Sequence, residues 1–202
     1  MKKIILASSS PRRIEMMKQN GYDPEIIPAD VDETIHINIS CEAAAMSAAY
    51  KKASHVAACI DDTDSTNCVN DFIIIAADTI VVHENKIIGK PRSREEAYNI
   101  LAGLRNTSHL VMTGVAVIDT ENNLKHCFCD ISTVYFKDFS DDTLAEYVKT
   151  DEPYDKAGGY AIQGTFSKYI DRFEGDYDNI VGFPWYRIKP FLGGDIIRSS
   201  VL

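Results

Sequence analysis

Six apolar residues in a row, Phe72-Ile73-Ile74-Ile75-Ala76-Ala77, run without a polar interruption into Asp78-Thr79. A strand with one wet face alternates apolar and polar residues. A continuous β-branched run instead reads as a central strand buried on both faces. Such a strand needs a covering layer on each side, which places the chain among mixed α/β or α+β proteins. A carboxylate directly after a buried strand also sits where ligands gather in open α/β sheets, beyond the carboxyl ends of the strands. Taken alone, Asp78 reads equally well as a turn or cap residue.

The other elements follow in order. Lys3 to Ala7 reads as a first strand, and Pro11 to Asn20 as a helix with Ile14 and Met17 on its apolar side and Gly21 as its stop. Tyr22 to Ile27 is extended, and Pro28 to Thr34 is an acidic loop carrying Asp30, Asp32 and Glu33. Ser40 caps an alanine-rich helix to about Ile60, with Met46, Tyr50, Ala53 and Ala57 on one side. Asp61 to Asp71 is a polar surface loop; it lacks the glycine and closing glutamate of a calcium loop. Ile80 to Ile88 forms a hairpin through Glu84-Asn85, and Ser93 with Glu96 makes a capping box for a helix whose apolar side is Ala97, Ile100, Leu101 and Leu104. His109 to Asp119 and Leu124 to Lys137 pair as an antiparallel hairpin, and Ser140 caps a short helix. A glycine-dense stretch from Asp155 to Gly164, a strand over Ser167 to Phe173 and a terminal helix from about Trp185 complete the chain. No repeat or linker divides the sequence, so residues 1–202 are expected to form one domain.

The turn after the first strand, Ser8-Ser9-Ser10-Pro11-Arg12-Arg13, carries two readings. In one it is an ordinary helix start, with Ser10 as N-cap, Pro11 at the first helical position and both arginines solvated. In the other, unpaired backbone N–H groups, three hydroxyls and two guanidiniums form a seat for phosphate.

Composition narrows the partners. A formal net charge of −9 over 202 residues argues against long nucleic acid or an anionic membrane surface, though not against a small anion in a locally basic pocket. No stretch approaches the length of a membrane-spanning helix, and the short N-terminal apolar run is not a signal peptide. Five cysteines without a Cys-x-x-Cys pair read as free thiols in a reducing, cytoplasmic compartment, with Cys127 and Cys129 as packing residues on one strand face. The five histidines lack zinc spacing and read as solvated or strand-face residues.

Polar residues break the apolar pattern at several strand or turn ends: Arg12 and Arg13, Glu33, Asp78 and Thr79, Lys90, and Asp155 with Lys156. Converging carboxylates would hold a hard divalent ion, and converging cations would neutralise a polyphosphate, which together meet the main needs of phosphoryl chemistry. The P-loop, dinucleotide-binding and Gly-x-Ser-x-Gly patterns are missing.

Six stretches carry a resemblance: Leu6 to Arg13, Ala77-Asp78-Thr79-Ile80-Val81, Gly89-Lys90-Pro91, Met112-Thr113-Gly114-Val115, Glu152 to Gly164, and Asn179 to Pro184. In this order they resemble the Maf family of nucleoside triphosphate pyrophosphatases. The resemblance implies a mixed α/β fold: an elongated, twisted mixed sheet with flanking helices and two lobes around a cleft, similar to inosine triphosphate pyrophosphatases. It implies a homodimer and hydrolysis of a nucleoside triphosphate to the monophosphate and pyrophosphate with a divalent cation, Mg2+ or Mn2+. Asp78 matches the proposed general base and, with Glu33, would hold the metal. Ser8, Arg12, Arg13, Lys52, Lys90 and Lys156 match positions that meet the phosphates, and Asp155 lies in the same cleft. Arg12, Thr79 and Gln163 match the group that prefers dTTP and UTP, whereas the group acting on 7-methyl-GTP tends to carry Trp, Ser and Glu there. A glutamine amide offers one donor and one acceptor to a pyrimidine edge. A non-catalytic nucleotide-binding regulator of cell division is the alternative of a different class. The Asp61 to Asp71 loop departs from the family pattern as an insertion.

Overall fold

In the computed structural model, residues 2–31, 39–63 and 71–193 are described. Strand β1 (Lys3–Leu6) leads to helix α1 (Pro11–Gln19), β2 (Glu25–Ile26), α2 (Cys41–Thr63), β3 (Phe72–His83), β4 (Lys86–Ile88) and α3 (Arg94–Leu104). The hairpin β5 (Ser108–Asp119) and β6 (Leu124–Phe136) follows, then α4 (Asp141–Tyr147), β7 (Ile170–Glu174), α5 (Tyr177–Val181) and α6 (Trp185–Ile188). The described strands form a seven-stranded mixed sheet in the order β2-β1-β3-β5-β6-β7, with β4 on β3. Strands β2, β1 and β3 run parallel, and all the other pairings are antiparallel.

The expected central strand is central, and both of its faces are covered. Ile74 and Ala76 pack with Ala49, Ala53 and Val56 of α2, while Ile73, Ile75 and Ala77 pack with Met17, Phe183, Trp185 and Ile188 on the opposite face. Farther along that second face, Val81 joins a separate cluster with Leu101 and Leu104 of α3 and Leu144 of α4. One face of the sheet is thus covered along its length by α2, and the other carries two apolar clusters with a break between them.

Several local expectations are corrected. The strand does not end at Ala77: β5 pairs with β3 from Ile73↔Asp119 to Val82↔Leu110, so Asp78 and Thr79 lie inside a twelve-residue strand. The buried stripe of α2 is Ala45, Ala49, Ala53 and Val56, shifted from the predicted side, because its smallest side chains face the sheet. The helix also runs to Thr63, into the stretch read as a loop, and residues 64–70 of that stretch lie outside the described residues. Ser10 occupies the N-cap position of α1 but makes no side-chain cap bond. Ser93 caps α3 by accepting from Glu96 N–H, while the Glu96 carboxylate turns back to Arg92 N–H rather than to Ser93. Thr165–Tyr169 is a 3₁₀ turn and not the start of a strand, because Phe166 turns inward against Phe136, Phe139 and Tyr147. The terminal helix is a single turn, since Pro190 cannot supply the next N–H. Cys127 is exposed rather than packed, and Cys129 is half-buried against the cluster of Ile80 and Met112. His109 is the strand-face case and not the solvated one: on β5 it is 2% exposed, with Nε2 2.6 Å from the Tyr160 hydroxyl.

Candidate active site

Strand β3 has one edge paired along β5. The opposite edge meets β1 only at Phe72 to Ile75 and β4 only at Val81 to His83. Residues 76–80 therefore face a gap between two strands, and the chain leaving β1 at Ala7 turns away into Ser8, Ser9 and Ser10 beside it. Asp78 and Thr79 sit in this notch. A cavity of about 1360 Å³ opens there, lined by the Ser8 to Arg13 turn, Lys52, Asp78, Thr79, Lys90, Lys156 and Gln163 among others. Every candidate site residue within the described region thus borders one cavity; Glu33 lies outside the described residues.

Asp78 points to the α2 side of the sheet, where its Oδ1 accepts a hydrogen bond from Lys52 Nζ at 2.6 Å. Its cross-strand partner Gly114 explains how α2 comes so near. A Cβ on Gly114 would lie 2.2 Å from the backbone C and O of Ala45, so only glycine lets the helix cross here. Gly114 carried the resemblance without a physical role in the sequence; the crossing of α2 supplies one.

Thr79, next on the strand, points to the other face. Arg13 fills the break between the two apolar clusters there. Its Nε donates to Gly182 C=O at 2.9 Å, Nη1 to Ala77 C=O at 2.8 Å and to Ser8 Oγ at 3.2 Å, and Nη2 to Thr79 Oγ1 at 3.1 Å. Ser8 Oγ also accepts from Ser10 N–H at 3.2 Å, leaving its own proton to donate. Ser8 and Arg13, both candidates for phosphate, thus also meet each other and the sheet edge.

The cation rim lies farther out. Arg12 is half-buried and Lys90 exposed, and neither makes a hydrogen bond or ion pair with the described residues through its side chain. Arg92, which sequence reasoning missed, is exposed on the same cavity. Lys156 donates to Glu152 C=O at 2.8 Å and to the Asp155 carboxylate. Gly158 N–H donates to Gly89 C=O at 3.1 Å, which ties the loop of Lys156 to the loop of Lys90. Among the described residues, six cationic and four anionic side chains border the cavity, a local excess of positive charge in a chain of net charge −9.

Glu152, part of a recognised motif but assigned no task, anchors the loop that carries Gln163. Its carboxylate accepts from Thr165 N–H at 3.0 Å and Thr165 Oγ1 at 2.6 Å, and from the Tyr147 hydroxyl at 3.3 Å. Burial, with the Glu152 charge beside it, pushes the Tyr147 phenol well above its ordinary pKa, so it remains a donor. Gln163 is exposed at the rim.

Among the described residues no three His, Cys, Asp or Glu side chains converge as a complete metal cage. Asp78 nonetheless offers a hard oxygen donor inside a wide cavity, which suits a cation that keeps several waters and shares the oxygens of a bound phosphate.

A mixed α/β protein with a cation-rimmed cavity around one lysine-held carboxylate is the class that this fold and site define. Residues 3–194 match the family described as Maf-like protein, and the chain belongs to that family. A full-length relative in Caldicellulosiruptor saccharolyticus, 42% identical over 206 residues and covering 100% of both chains, is named dTTP/UTP pyrophosphatase. Relatives of the same name occur in Alkaliphilus oremlandii, 40% identical with 93% of each chain covered, and Acetivibrio thermocellus, 41% identical with 95% of this chain and 94% of the relative covered. Among the described residues no helix is long and apolar enough to cross a membrane.

Proposed function

We propose that this protein is a nucleoside triphosphate pyrophosphatase that hydrolyses dTTP and UTP to the monophosphate and pyrophosphate. The observation that carries the reading is the Lys52–Asp78 pair, 2.6 Å apart at the floor of a cavity whose rim holds Arg12 and Lys90. Full-length relatives named for this activity support it. In this reading the two apolar clusters flanking the notch are the lobes of a cleft similar to that of inosine triphosphate pyrophosphatases, within one domain spanning residues 1–202. The protein acts in the cytoplasm as a homodimer and helps control the nucleotide pool.

Arg12, Lys90 and Lys156, with the Ser8 hydroxyl, receive the triphosphate; cations arranged around a cavity neutralise its charge and hold it in line. Asp78 takes a proton from the water that attacks the α-phosphorus. The new P–O bond forms as the bond to the α–β bridging oxygen breaks, and pyrophosphate leaves with that oxygen. Lys52 holds the Asp78 carboxylate in place and adds positive charge beside the reacting phosphate. Asp78, with Glu33, would hold a Mg2+ or Mn2+ ion, which supplies charge neutralisation on the phosphate oxygens. Arg12, Thr79 and Gln163 border the cavity and select the base, and Gln163 offers an amide donor and acceptor to a uracil or thymine edge.

Pyrophosphate release measured with UTP, dTTP, CTP and 7-methyl-GTP in the presence of Mg2+ tests the reading. UTP and dTTP are expected to turn over fastest, Asp78→Asn is expected to abolish turnover in a folded protein, and EDTA is expected to stop the reaction reversibly. A preference for 7-methyl-GTP would reassign the substrate. No release from any nucleotide would favour a nucleotide-binding regulator.

A further inference from the structure

We infer that Arg13 is a positioning residue that replaces the missing strand at the open edge of β3, and not a ligand of the substrate's phosphates. The inference rests on the pyrophosphatase reading for its kinetic test but on geometry for its argument. Four of the five N–H donors of Arg13 are spent on Gly182 C=O, Ala77 C=O, Ser8 Oγ and Thr79 Oγ1. The Ala77 carbonyl belongs to the residue before Asp78 and faces the notch, where neither β1 nor β4 reaches it. The guanidinium supplies the donor that a neighbouring strand would have supplied.

The hydroxyls beyond it set a direction. Thr113 Oγ1 donates its single proton to Asn179 C=O at 3.0 Å. The 3.0 Å contact between Thr79 and Thr113 must then use the Thr79 proton, and Thr79 can only accept from Arg13. The chain runs Arg13 to Thr79 to Thr113 to Asn179 C=O, while Arg13 Nε closes on Gly182 C=O from the other side. A planar fork thus ties the serine turn, the Asp78 strand and the α5 corner into one unit. Gly182 completes the fit: its φ is +108°, and a Cβ there would stand 3.0 Å from Thr79 Oγ1.

A phosphate ligand and a fork differ in what lysine can replace. Lysine binds phosphate as a point charge but has no planar fork, so it restores part of a phosphate contact and none of this brace. Arg13→Lys is expected to lower kcat for UTP by about tenfold or more with KM within about threefold, much as Arg13→Gln does. Thr79→Val added to Arg13→Lys is expected to lower kcat by less than about twofold more, because the relay is already broken. Amide exchange at residues 76–80 should accelerate in Arg13→Lys while the β5–β6 hairpin is unchanged. Near-normal kcat in Arg13→Lys, a tenfold rise in KM at unchanged kcat, or unchanged exchange at residues 76–80 would each overturn the inference. If Arg13→Lys does not fold, Thr79→Val alone decides: faster amide exchange at residues 76–80 supports the relay, whatever KM does through the base-selecting role of Thr79, and wild-type exchange there refutes it. If the wild-type protein releases no pyrophosphate, the functional reading fails while the exchange measurement still decides the role of Arg13.

Discussion

Lys52 Nζ lies 2.6 Å from Asp78 Oδ1, and the two side chains retain only 12% and 19% of their surface to solvent. The lysine is on the sheet-facing side of α2, among alanines, where a charge is tolerated because the strand beneath it carries the opposite one. The pair is neither a surface bridge, worth about 0–1 kcal/mol, nor a fully buried one, whose disruption costs about 3–5 kcal/mol. A double-mutant cycle of Lys52→Met and Asp78→Asn, measured by denaturant unfolding, is expected to give a coupling of about 2 kcal/mol. A coupling near zero would mean that the contact holds neither residue in place.

Gly114→Ala should be among the most damaging single-methyl changes in the chain. The new Cβ would meet backbone atoms of Ala45 at 2.2 Å, which no side-chain rotation relieves. The helix must lift away, at a cost of about 3 kcal/mol, and Lys52 moves with it. Unfolding midpoints and kcat should fall together, whereas Gly103→Ala, an exposed helix position with nothing within 4 Å of its Cβ, should leave kcat unchanged and raise the midpoint slightly.

His109 gives the fold an acid sensitivity with a defined sign. Burial, with a smaller contribution from His83, lowers its pKa from 6.5 to about 3. Above pH 6.5 the ring is neutral in both folded and unfolded chains. As the pH falls below 6.5 the unfolded chain takes up a proton that the folded form refuses until about pH 3, so stability is lost across that window. The loss from this residue should reach ~3 kcal/mol by pH 4. His109→Phe should flatten the pH dependence of unfolding free energy between pH 6.5 and 4, whatever its effect on stability at neutral pH.

Glu152 and Gly164 should share a phenotype. A Cβ on Gly164 would lie 1.9 Å from Glu152 Oε1, and that carboxylate is what receives Thr165 N–H and Oγ1. Either Glu152→Ala or Gly164→Ala should loosen the loop of Gln163 and raise KM for UTP about tenfold, the equivalent of one charge-assisted hydrogen bond. Combining them should add little, since both remove the same anchor.

Local chemistry made much of this fold legible. The Phe72 to Ala77 run demanded two covering layers and has them. Gly21 ends α1 at φ +84°, with Tyr22 N–H reaching Met17 C=O and Gly21 N–H reaching Lys18 C=O. Ser140 caps α4 by accepting from Thr143 N–H, and Glu84-Asn85 turns the β3–β4 hairpin with positive φ at both residues. A side chain with a remote destination is not legible in this way. Phe166 turned a predicted strand start into a 3₁₀ turn because its aromatic partners come from α4, β6 and the loop after β6, which no window of sequence contains.

The candidate site divides the same way. Sequence alone picked out the candidate residues: a carboxylate next to a buried apolar run, arginines at a helix start, and lysines beside glycines are unusual enough to stand out. Which of them face the cavity's contents and which hold its walls was decided by tertiary structure. Arg12 and Arg13 are adjacent in the chain and chemically identical, yet a 100° step around the helix sends one toward open space and the other into a sheet edge. Asp78 and Thr79 part in the same manner, because alternate residues of a strand face opposite layers. That division depends on where β1 stops and β4 begins along β3, a matter of strand pairing between segments many residues apart.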